Sequence, residues 1–60
     1  MNIDPKYEKV YKTLLNNSKH IDEICMELKI SISEASSILT ILEIEEHIEQ
    51  LPGNIFRVVM

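Results

Sequence analysis

Sixty residues with a formal charge of −4, from ten acidic and six basic side chains, make one domain and nothing larger. A chain this short buries only about 60% of the surface it exposes when unfolded, so an apolar content of 45% fills one small core and leaves no deep substrate cleft. The acidity argues against strong independent binding to nucleic acid, the lone Cys25 excludes an internal disulfide, and no apolar run reaches the roughly 18 residues of a membrane span.

The first residues, "MNIDPKYEKV", carry no apolar signal-peptide core, and a reducing cytoplasm suits an unpaired cysteine. A soluble cytoplasmic module is therefore expected. Tyr7, Val10, Tyr11, Leu14 and Leu15 then recur at the spacing of a helix with one buried face. Asp4 is placed to cap it, and Pro5 sits at the first helical position, where a missing N–H costs nothing. The spacing predicts a helix from Pro5 to Leu15, ended by the turn residues "NNSK". Its lysines, Lys6, Lys9 and Lys12, read as a solvated face paired with Glu8.

"HIDEICMEL" puts Ile21, Ile24, Cys25 and Leu28 on one side of a second, short helix ending at Leu28 or Lys29. Its cap is either His20 or Asp22. With His20 as cap, Glu23 can reach back to the free amide there. "SISE" has capping-box spacing between Ser31 and Glu34, with Ile30 placed to staple against Ala35. A third helix then runs to Glu45, with Ile32, Ala35, Ile38, Leu39 and Leu42 toward the core. Only "LKI" separates helices two and three, the joint of a helix-turn-helix. The period then changes: "HIEQL" and "IFRVV" are β-rich runs around "PGN", and Pro52-Gly53 supplies a turn with glycine where φ must be positive. Three helices followed by a two-stranded hairpin give an α+β winged helix spanning residues 1–60.

The blocks "HIDEI", "ISISEASSILTILEIE" and "HIEQLPGNIFRV" resemble the C-terminal winged-helix domain of the bacterial DNA-processing protein A family (DprA, also called Smf). The most specific part is the wing, where Glu49, Gln50, Leu51, Pro52, Gly53, Phe56 and Arg57 match. Lys29 departs from the glycine usual in such joints, and Glu46 and His47 from the glycine and apolar residue that usually enter the wing. The resemblance implies work on incoming single-stranded DNA in natural transformation and loading of the RecA recombinase. In that family a Rossmann-like domain binds the strand and dimerises. This sequence has no room for one, so a C-terminal domain excised from a longer protein is expected.

Candidate chemistry is sparse. His20, His47 and Cys25 have no spacing that makes a dyad, Cys25 falls on an apolar stripe, and the scattered carboxylates read as solvated faces. No catalytic residue, metal, cofactor or small-molecule substrate is expected, and no membrane partner. Opposite its core stripe the third helix carries Ser33, Ser37, Thr40 and Ile44, flanked by Ser36 and Ile41. Bidentate base reading needs Arg, Lys, Asn or Gln, and this helix has none. Sequence-independent phosphate contacts could use Ser33, Ser36, Ser37, Thr40, Asn54, Arg57 and Lys29. Ile41 and Ile44 beside small serines make a flat apolar surface suited to a protein, unless the wing or the chain end covers Ile44. The expected function is thus a module of a DNA-processing protein that supports recombination and transformation. It would contact a recombination or competence protein, the rest of its own chain, or DNA weakly, single- or double-stranded. The alternatives are the DNA-binding domain of a small transcription regulator and a structural dimerisation domain built on Ile41 and Ile44.

Overall fold

The computed structural model describes residues 3–59. Its elements, numbered in chain order, are α1 (Pro5–Thr13), β1 (Lys19–His20), α2 (Ile21–Leu28), α3 (Ile32–Ile44), β2 (Ile48–Leu51) and β3 (Ile55–Val58).

Asp4 caps α1 by accepting a hydrogen bond from the Lys6 amide at 2.8 Å, with Pro5 opening the helix. The helix stops two residues before the predicted end. The amides of Leu14 and Leu15 turn to the carbonyls of Tyr11 and Lys12, both at 3.1 Å, and this tighter i−3 winding ends the regular repeat. Val10 and Leu14 stay buried, but Leu15, expected on the same stripe, is 53% exposed.

His20 settles the ambiguous cap of α2. Its Nδ1 accepts from the Asp22 amide at 3.0 Å, and the Glu23 carboxylate accepts from the His20 amide at 3.1 Å, completing a capping box. Lys29 ends α2 in the left-handed region, φ 58° and ψ 47°, and the Ile30 amide donates back to the Cys25 carbonyl at 3.1 Å. Ser31 caps α3 through the Glu34 amide at 3.0 Å. The reciprocal half of the expected box is absent among the described residues, and Glu34 instead lines a groove beside Lys6 and Lys9. Ala35, Ile38, Leu39 and Leu42 are buried as their spacing requires. Ile32 is not: at the first position of the helix it is 52% exposed. At the other end, the amides of Glu46 and His47 donate to the carbonyls of Glu43 and Leu42, both at 2.9 Å. With Glu46 at φ 64° this is a Schellman ending made without glycine.

The hairpin has β2 antiparallel to β3, with Ile48 opposite Val58 and Gln50 opposite Phe56. Ile48, Phe56 and Val58 are buried against the helices, which gives a lone hairpin the support it lacks in water. The wing has three strands, not two. Lys19 and His20 pair with Phe56 and Ile55 on the free side of β3, in the order β1-β3-β2, and the Ile21 amide donates to the Asn54 carbonyl. A polar tie fixes this added strand. Lys19 Nζ donates to Thr13 Oγ1 at 3.0 Å and to the two Glu27 oxygens at 2.8 and 2.6 Å, while Thr13 Oγ1 donates to Glu27 at 2.6 Å. It joins the ends of α1 and β1 to α2.

Candidate interaction surface

The core stripe of α3 turns the opposite face of that helix to solvent, where Ser33, Ser36, Ser37, Thr40 and Ile44 are exposed and Ile41 is half-buried. Thr40 spends its hydroxyl proton on its own helix, donating to the Ser36 carbonyl at 2.8 Å. Ser33, Ser37 and Ile41 share one shallow groove, of about 390 Å³, with Lys6 and Tyr7 of α1. The sequence separates the α1 lysines from this face, but the packing of α1 on α3 sets Lys6 beside the serines. Ile44, with no cover from the wing, is 74% exposed.

The remaining candidates are elsewhere or already engaged. Lys29 is exposed at the α2–α3 turn. Arg57 is bonded to Glu49 directly across the hairpin and lines a separate hollow with Leu14, Leu15 and Asn17 at the end of α1. Asn54 stands at φ 60° in the hairpin loop, its Oδ1 accepting from Gln50 Nε2 at 3.3 Å. The structure therefore gathers Ser33, Ser37 and Ile41 and leaves Arg57 apart from them. It adds Lys6 and Tyr7, which sequence reasoning missed because periodicity within α1 says nothing about which helix it crosses, and Glu34 from the first turn of α3 itself.

His20 is a cap, and the edge of the His47 ring meets Tyr11 with centroids 6.1 Å apart. Cys25 is half-buried against the core. The bonds from Lys19 and Thr13 hold the Glu27 carboxyl below its ordinary value. Among the described residues no group of three His, Cys, Asp or Glu side chains gathers as a metal site would need, and no helix is long and apolar enough to cross a membrane.

A family model described as the DprA winged helix domain covers residues 2–54, a stretch that stops before β3. No curated protein and no solved structure matches the chain.

Proposed function

The chain belongs to the DprA winged-helix family, and on that premise we propose that it is a non-catalytic module of a cytoplasmic DNA-processing protein. It supports recombination and natural transformation by holding a protein partner on α3. The partner is a recombination or competence protein, or another part of the same polypeptide. One observation carries this reading: Ile44 is 74% exposed on a helix face of small hydroxyls that offers no long base-reading side chain. A helix meant for the major groove places bidentate donors there. One meant for another protein keeps its face flat and apolar.

Weak, sequence-independent contact with DNA is a second reading, favoured by Lys6 beside Ser33 and Ser37. Amide chemical-shift titration of the labelled chain with single- and double-stranded oligonucleotides at low salt separates the two. Shifts at Ser33, Ser36, Ser37 and Thr40 would support DNA contact. Silence there would leave protein docking, for which Ile44→Glu should abolish partner binding and keep the native spectrum. Tight, sequence-specific duplex binding would overturn both in favour of a transcription regulator. Tumbling that slows with concentration, and recovers in Ile44→Glu, would mean a dimerisation domain.

A further inference from the structure

The chain has six basic side chains, and three of them are paired: Lys12 with Glu8, Lys19 with Glu27 and Arg57 with Glu49. The other three, Lys6, Lys9 and Lys29, make no ion pair with any described carboxylate. Lys6 and Lys9 line a groove of about 400 Å³ between α1, the α2–α3 turn and the first turns of α3. Its floor is Val10, Leu28, Ile30 and Ile38, of which Leu28 and Ile30 are only half-buried. Lys29 is exposed in the turn between Leu28 and Ile30. Glu34 is the one carboxylate lining the groove, and neither lysine pairs with it.

We propose that this groove docks an acidic protein segment anchored by apolar side chains. One or two aliphatic or aromatic groups would cover Leu28 and Ile30, and carboxylates would meet Lys6 and Lys9. In a chain of net charge −4, two unpaired cations line a groove floored by half-covered aliphatic surface, so charge and apolar area call for the same ligand. A nucleic-acid strand satisfies only the first. Its phosphates could meet the lysines, but no aromatic side chain lines the groove to stack a base. The groove shares Lys6, Glu34 and Ile38 with the neighbouring one that holds Ile41, while Lys9, Val10, Leu28 and Ile30 line this groove and not that one.

The test is an amide titration of the labelled chain with a short synthetic peptide that has leucines at helical spacing and glutamates elsewhere. Two control peptides replace the leucines by serine or the glutamates by lysine, and a short oligothymidylate is run in parallel. The acidic leucine peptide should shift Lys6, Lys9, Leu28, Lys29, Ile30 and Glu34. Lys6→Glu combined with Lys9→Glu should weaken it by about tenfold or more, while Lys12→Glu, outside the groove, should not. Acidic residues in the first turns of α1 agree with the helix dipole, so the double variant should keep its fold, which its unbound spectrum checks. Equal binding of either control peptide, groove shifts from oligothymidylate alone, or no groove shift from any probe would overturn the proposal.

Discussion

Lys29, Glu46 and Asn54 hold φ values of 58°, 64° and 60°, a region that side chains with a Cβ enter at a cost of about 1–2 kcal/mol. The single glycine, Gly53, takes the other positive φ, 88°. At positions 29 and 46 the backbone has the left-handed shape that glycine adopts without strain. Lys29→Gly and Glu46→Gly should each therefore stabilise the chain by about 0.5–1 kcal/mol, after the greater unfolded-state freedom of glycine is subtracted. The urea midpoint would rise with an unchanged slope. No rise would mean that the bonds closing these helix ends already offset the strain. Ile44→Glu should lower the midpoint by no more than about 1 kcal/mol, because an exposed side chain holds little of the fold and the cost is that of one more carboxylate at the negative end of the helix dipole.

Among the elements, α3 is the one whose sequence and surroundings agree best and also conflict most. Its buried side was legible because thirteen residues give more than three turns of one repeat. Its last turn and the residues just beyond carry Glu43, Glu45 and Glu46 and no basic side chain, at the end where the helix dipole is negative. Glu43→Lys should stabilise by about 0.5 kcal/mol at low salt, and the gain should shrink as salt is added. A loss would show that Glu43 has a favourable partner. The end of α1 and all of β1 were not legible, for physical reasons. A last turn wound i−3 leaves no mark in an apolar spacing. A strand of two residues has no alternation to read, and Lys19 and His20 are extended because β3 offers a free edge.

Across the molecule, the Thr13–Lys19–Glu27 tie makes stability depend on pH in a definite direction. Glu27 titrates below its ordinary value of 4.5 in the folded chain, so its contribution is complete above that value. It is lost as the pH falls from there through the lowered folded value. Glu27→Gln should flatten this part of the acid unfolding curve, and an unchanged curve would exclude the tie as its cause. The net charge of −4 sets a second expectation: any DNA binding should vanish at about 0.2 M salt, where counterion release gives little. Of the candidate residues, the sequence showed which side chains share a helix face, and α3 kept them together. It did not show that Lys6 lies beside Ser33 or that Arg57 is held by Glu49, since both follow from how elements cross or pair. The strand order β1-β3-β2 also bears on synthesis. The middle strand is the last of these elements to leave the ribosome, so β1 and β2 wait, each with an open edge, until Val58 has emerged. A protease cut in the loop between Leu51 and Ile55 would detach that strand from the preceding chain and threaten both pairings at once.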